Sequence, residues 1–68
     1  MKLIINGEDR VFEGPLTLQG LVVEQLGMTT DRVAVELNRD IVSREKWSHT
    51  QLGEGDRLEI VHFVGGGK

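Results

Sequence analysis

The amino-acid sequence predicts a small α+β fold, a five-stranded mixed sheet with one main helix packed on one face. The chain has only 68 residues, of which 38% are hydrophobic and 28% charged, as is typical of a single globular domain. Several short apolar segments, separated by turn signals, have the composition of strands. One segment alone, residues 17–26, has its apolar residues at helical spacing.

The first two strands are predicted to form a hairpin. The first strand covers residues 2–6, and the Asn6-Gly7 pair is a strong turn signal. The returning strand covers residues 10–13, so the loop is expected to be a residue or two longer than a minimal turn. Gly14-Pro15 ends this strand because neither residue continues a strand well.

The helix is predicted over residues 17–26. Thr17 is placed to cap its first turn, since a threonine hydroxyl accepts a free backbone N–H there. Gly27 is placed to end the helix with positive φ. The buried stripe is expected to comprise Leu18, Leu21, Val22 and Leu26.

Three further strands follow the helix. They are predicted at residues 32–38, 41–42 and 57–64, with one helical turn at residues 43–47 before the last of them. A hairpin followed by a helix and another strand gives a parallel strand pair through a right-handed crossover. This order of elements predicts a β-grasp domain over residues 1–64.

Composition excludes several classes of function. The net charge is −3 with no cluster of Lys or Arg, which argues against nucleic-acid binding. The sequence has no Cys, which excludes a Cys nucleophile, and His49 and His62 are its only histidines, so no metal site is predicted. No apolar run reaches the length of a membrane span or of a signal peptide core, so a cytoplasmic protein is expected.

The glycine-rich end is the most informative segment. Gly65, Gly66 and Gly67 precede Lys68, and residues 65–68 are expected to form a flexible tail. A frayed terminus is the plain interpretation. The alternative is a tail that threads a narrow channel, because glycine lets the backbone approach another chain closely. Four extended residues reach at most ~14 Å, enough to carry a carboxylate into a partner's active site.

The strand order, and a last strand that runs into Gly-Gly, resemble the ubiquitin-like sulfur carriers. Among these the chain is most similar to the ThiS family of thiamine-biosynthesis sulfur carriers, and the resemblance is densest from Val33 onward. The residues that carry it are Val33–Asn38, Ile41-Val42, Arg44, Trp47, Leu52, Gly55-Asp56, Leu58–Val61 and His62–Gly67.

The resemblance implies a protein co-substrate rather than an enzyme. An adenylating enzyme (ThiF-like) would use Mg-ATP to convert the carboxylate of Gly67 to an acyl adenylate. Sulfur from a persulfide donor, such as a cysteine desulfurase, would then give a thiocarboxylate for a thiazole synthase (ThiG-like). The carrier would bind no cofactor of its own and would be a monomer when free.

Lys68 departs from the family pattern, in which the chain ends at the second glycine of the pair. A residue after Gly67 blocks its carboxylate with an amide. We expect a peptidase to remove Lys68 before activation. A residue left by expression engineering, or a carrier that is not activated as written, are the alternatives.

A docking patch is predicted beside the tail. In the last strand Leu58 and Ile60 are expected to face the core, which turns Val61 and Phe63 outward. The first strand is expected beside it with Ile4 outward. Ile4, Val61 and Phe63 would then form an exposed apolar patch for a partner. Glu36 and Glu59 would either meet basic groups of the adenylating enzyme or, as is more common for such charges, simply be solvated.

Three other functions remain open at this stage. The small subunit of molybdopterin synthase and carriers of other sulfur pathways share the fold and the Gly-Gly end. A ubiquitin-like modifier, which forms an isopeptide bond with a lysine, is activated by the same acyl adenylate. A plain interaction module with an inert tail is the third.

Overall fold

The computed structural model describes residues 1–63, without the side chain of Thr30. It confirms the predicted α+β fold with a five-stranded mixed sheet. The strands are β1 (Lys2–Ile5), β2 (Glu8–Val11), β3 (Val33–Leu37), β4 (Asp40–Ile41) and β5 (Arg57–His62). Their order across the sheet is β2-β1-β5-β3-β4, in which β1 and β5 are parallel and the other neighbours antiparallel.

The first hairpin is tighter than the sequence analysis predicted. Its loop is the two residues Asn6 and Gly7, whose φ angles are +51° and +84°, and Ile5 pairs directly with Glu8. Two positive φ angles give the turn whose twist matches that of paired strands. The second strand therefore covers Glu8–Val11 rather than residues 10–13.

The second hairpin repeats this geometry with less typical residues. Asn38 and Arg39 have φ angles of +51° and +76°, and Leu37 pairs with Asp40. Strand β4 therefore begins at Asp40, one residue before the prediction. Arginine rarely adopts positive φ, so Arg39 is a less typical residue for this turn position than glycine or asparagine.

The helix α1 (Gly20–Gln25) has π-type hydrogen bonding and is preceded by α-helical residues 18–19, so the helical segment nearly matches the predicted one. The Leu26 N–H donates to the Leu21 carbonyl five residues back, at 2.9 Å. At the start of this segment, the Leu18 N–H donates to the Thr50 carbonyl at 2.8 Å. Gly27 follows with a φ of +68°, as expected of a helix-ending glycine.

The core lies between the sheet and the helical segments. Trp47 lies in a 3-10 helix (Arg44–His49) and is only 1% exposed. Its indole N–H donates to the Val42 carbonyl at 2.9 Å. The other buried hydrophobic residues are Leu3, Ile5, Phe12, Leu16, Leu18, Leu21, Val22, Val33, Val35, Leu52, Leu58 and Ile60.

The Thr17 hydroxyl caps the start of the helical region, as predicted. It accepts the Gly20 N–H at 3.0 Å. We expect Thr17→Ala to lower the free energy of unfolding by about 1 kcal/mol, because that N–H loses its partner. Urea denaturation checks this, with Thr17→Ser, which keeps the hydroxyl, as the control. Equal losses in both variants would contradict the capping role.

Candidate functional site

Strand β5 presents one face to the core and the other to solvent. Leu58 and Ile60 are 0% and 7% exposed, whereas Val61 and Phe63 are 54% and 50% exposed. The predicted directions of Leu58, Ile60, Val61 and Phe63 are confirmed. It follows from the two-residue period of a strand, since Leu58 and Ile60 both pack in the core.

The outward face of β5 is joined to β3 and β4. Val61 pairs with Ala34 of β3, and Ile41 of β4, 79% exposed, lies one strand further out. Together with the Glu36 and Glu59 side chains they line an open depression of about 100 Å3. We call this depression and its exposed neighbour Phe63 the outer apolar surface.

Ile4 lies away from this surface. It is half-buried and pairs with Arg57, four positions before Val61, which is roughly 13 Å along the strand. The expected meeting of Ile4 with Val61 and Phe63 is therefore not observed, although a docking role for each residue stays a prediction. The sequence analysis did not identify Ala34 and Ile41 as neighbours of Val61. The pairing register of the sheet determines these neighbours, and no local sequence pattern indicates the register.

Two carboxylates border the outer apolar surface. Glu36 and Glu59 are directly paired across β3 and β5, and both are exposed. Like charges placed opposite each other in a sheet repel. A basic group of a partner would relieve this repulsion, so the surface combines apolar area with a local negative charge.

The part of the chain that the structure describes has neither a candidate metal site nor a membrane-spanning helix. Within residues 1–63, no three His, Asp or Glu side chains come together as a metal site would require. No helix among these residues is long and apolar enough to span a membrane. The predicted tail residues Gly65, Gly66 and Gly67, with Lys68 and the domain boundary at residue 64, lie outside the described residues.

Comparison with known families identifies the family to which the chain belongs. A model of the ThiS family matches residues 3–67, which is nearly the whole sequence and includes all three tail glycines. The chain belongs to the ThiS family. The resemblance carried by residues 33–67 is thereby confirmed, and with it the β-grasp fold.

Relatives of this ThiS-family chain include a sulfur carrier protein and thiazole synthases. A sulfur carrier protein ThiS of Bacillus subtilis is 36% identical over 66 residues, which is 96% of this chain and 98% of that protein. A thiazole synthase of Paramagnetospirillum magneticum is 46% identical over 98% of this chain, and one of Magnetococcus marinus is 44% identical over 100%. The chain spans about a fifth of the length of these two thiazole synthases.

A solved ThiS structure has the same architecture. The crystal structure of the thiamine biosynthesis protein ThiS from Geobacter metallireducens superposes with a TM-score of 0.82 at 32% identity. The match covers 98% of this chain and 100% of that one. The sheet order and the position of β5 described above are therefore those of a ThiS fold.

Proposed function

We propose that this ThiS-family chain is a sulfur carrier of thiamine biosynthesis that bears sulfur as a thiocarboxylate on Gly67. The observation that supports this most is the family match through residue 67, in a fold whose strand β5 ends at His62, three residues before the first of the tail glycines in the sequence. The likeness to a Bacillus subtilis sulfur carrier over nearly the full length of both chains supports it further.

Activation would begin at the carboxylate of Gly67. A carboxylate is a poor electrophile, so one of its oxygens attacks the α-phosphorus of ATP and pyrophosphate leaves. The acyl adenylate then reacts with a persulfide sulfur and AMP departs. A thiol reduces the resulting acyl disulfide, which leaves the thiocarboxylate. ATP and Mg²⁺ belong to the partner enzyme in this scheme, and the carrier contributes only the reacting end.

The Gly67–Lys68 bond has to be cleaved before this chemistry begins. As long as Lys68 follows, the Gly67 carbonyl is an amide and has no free oxygen to attack ATP. We therefore propose a peptidase as a maturation partner. The new carboxylate at Gly67, flanked by Gly66 and Gly65, carries no side chain that would obstruct a narrow channel.

Three further partners complete the proposal. They are an adenylating enzyme (ThiF-like), a persulfide donor such as a cysteine desulfurase, and a thiazole synthase (ThiG-like) that accepts the sulfur. Likeness to two thiazole synthases supports the last of these. We propose that the carrier acts in the cytoplasm, as a monomer when free and without catalysis of its own.

The outer apolar surface is the proposed docking site for the adenylating enzyme. Val61→Glu is expected to weaken that complex at least about tenfold, because it places a charge where apolar area would be buried. Calorimetric titration measures the affinity. Val11→Glu is the matched control, since Val11 is 78% exposed on the edge strand β2, two strands from β5. Equal affinities for the two variants would exclude this surface as the interface.

The proposed function is tested most simply by ATP–pyrophosphate exchange. The chain ending at Gly67 is incubated with the adenylating enzyme of its own host, ATP and Mg²⁺. Exchange that depends on the carrier is expected with this form and not with the form that keeps Lys68. If neither form supports ATP–pyrophosphate exchange, activation at Gly67 is contradicted. If the form that keeps Lys68 supports it, the need for cleavage is contradicted.

A further inference from the structure

The side chain of Asn6 extends the pairing between β1 and β5 beyond the end of β1. The last paired residues of the two strands are Ile5 and Leu58. Beyond them, the Asn6 Oδ1 accepts the Ile60 N–H at 2.8 Å, and the Asn6 Nδ2 donates to the Ile60 carbonyl at 3.2 Å. One amide side chain thus satisfies both backbone groups of Ile60, as another strand residue would.

Asn6 bonds to β5 through its backbone as well as its side chain, and we call this set of hydrogen bonds the Asn6 clamp. The Asn6 N–H donates to the Leu58 carbonyl at 2.9 Å. The backbone and the side chain of Asn6 therefore bond to two alternate residues of β5, Leu58 and Ile60. Its φ of +51° is the conformation that the hairpin turn requires and that asparagine tolerates better than most residues. The clamp links positions 54 residues apart in sequence.

A second asparagine serves as a natural comparison. Asn38 also has a φ of +51°, and its Oδ1 accepts the Arg57 N–H at 3.0 Å. Its Nδ2 donates to the Asp56 carboxylate at 3.1 Å. Asn38 therefore fixes the beginning of β5 from the β3 side, whereas Asn6 fixes Ile60 near its end from the β1 side.

The position of the Asn6 clamp bears on where β5 points. After Ile60, the described residues of β5 are paired with β3, through Val61 with Ala34 and His62 with Val33. The Phe63 N–H adds a bond to the Arg32 carbonyl at 2.7 Å. Without Asn6, strand β5 would be held from the β1 side only as far as Leu58, and its last residues would be held by the β3 pairing alone.

We propose that Asn6 is a positioning residue, which fixes the direction in which β5 leads toward Gly67 and so raises the rate of adenylation. This inference rests on the proposed function. The predicted tail adds only a few residues after β5, so the place where β5 ends limits where the Gly67 carboxylate can lie, and reactions that need an exact approach lose rate when the reacting group is misplaced. Val61 keeps its pairing with Ala34 when Asn6 is replaced, so the outer apolar surface keeps its neighbours and binding of the carrier should change much less than its turnover.

The test compares Asn6→Gly with Asn38→Gly. Glycine adopts positive φ without strain, so each variant removes one clamp and keeps its turn. The full chain, processed at the Gly67–Lys68 bond, is the substrate in carrier-dependent ATP–pyrophosphate exchange. For Asn6→Gly we expect kcat to fall about tenfold with KM within about twofold. For Asn38→Gly we expect both constants to stay within about twofold of the unmutated chain.

Amide hydrogen exchange supplies a second readout. The Ile60 N–H is expected to exchange faster in Asn6→Gly than in Asn38→Gly, because its acceptor has been removed. Equal kcat in the two variants, or an Asn6→Gly defect confined to KM, would overturn the positioning role. Absence of carrier-dependent ATP–pyrophosphate exchange with the unmutated chain would instead contradict the proposed function. The inference about Asn6 would then fall with it.

Discussion

Removal of Gly66 and Gly67 is expected to abolish thiocarboxylate formation and to leave the folded body intact. The truncated chain ends at Gly65 and loses up to about 7 Å of extended reach, so its terminal carboxylate can no longer arrive at the adenylating site. None of the described core residues lies beyond Ile60, so the midpoint of thermal unfolding should not change measurably. Mass spectrometry after incubation with the adenylating enzyme, ATP and a persulfide donor measures the product.

Gly67→Ala is the graded companion of this truncation. It keeps the length of the tail and adds a single methyl group next to the reacting carboxylate, which a narrow channel would exclude. We expect slower adenylation with an unchanged fold. Full activity in the shortened chain would contradict the role of the tail, and full activity in Gly67→Ala would contradict the channel alone.

Trp47→Ala is expected to remove most of the stability of the domain. Trp47 is 1% exposed, and deleting an aromatic side chain from a core costs about 3–5 kcal/mol. A domain of this size has only a few kcal/mol in total. Circular dichroism during urea denaturation should show a largely unfolded chain at 25 °C.

Trp47→Phe separates packing from hydrogen bonding at the same site. It keeps an aromatic ring but removes the indole N–H, which leaves the Val42 carbonyl without this donor. We expect a loss of about 1–3 kcal/mol and a native fold. If Trp47→Ala were to unfold no more readily than Trp47→Phe, the core position of this side chain would be contradicted.

The sequence was sufficient for the features that depend on local pattern. Alternation placed Leu58 and Ile60 inward, and the helical stripe identified Leu21 and Val22 as buried, because both patterns are repeated within one element. The residue type of Gly27 was enough to place the end of the helix.

The features that were missed depend on contacts between distant segments. The contact between the backbone of Leu18 and that of Thr50 is one of these, because nothing local to either segment indicates it. The long-range amide clamp of Asn6 could not be distinguished from an ordinary turn residue.

The candidate site was predicted in part for the same reason. The outward direction of Val61 and Phe63 follows from the strand period, whereas their neighbours follow from register. The pairing of Val61 with Ala34 brings Ile41 close and leaves Ile4 beside Arg57. Register across five strands is a property of the whole sheet, so no single segment of the sequence contains it.

The central claim is that Gly67 carries sulfur, and the intact mass of the protein from its own host tests it most directly. Cells are grown without thiamine, which keeps the pathway in demand, and the protein is purified without reductant or acid. The account predicts a species that ends at Gly67 with one oxygen replaced by sulfur. A protein that keeps Lys68 and carries no sulfur under these conditions would contradict it.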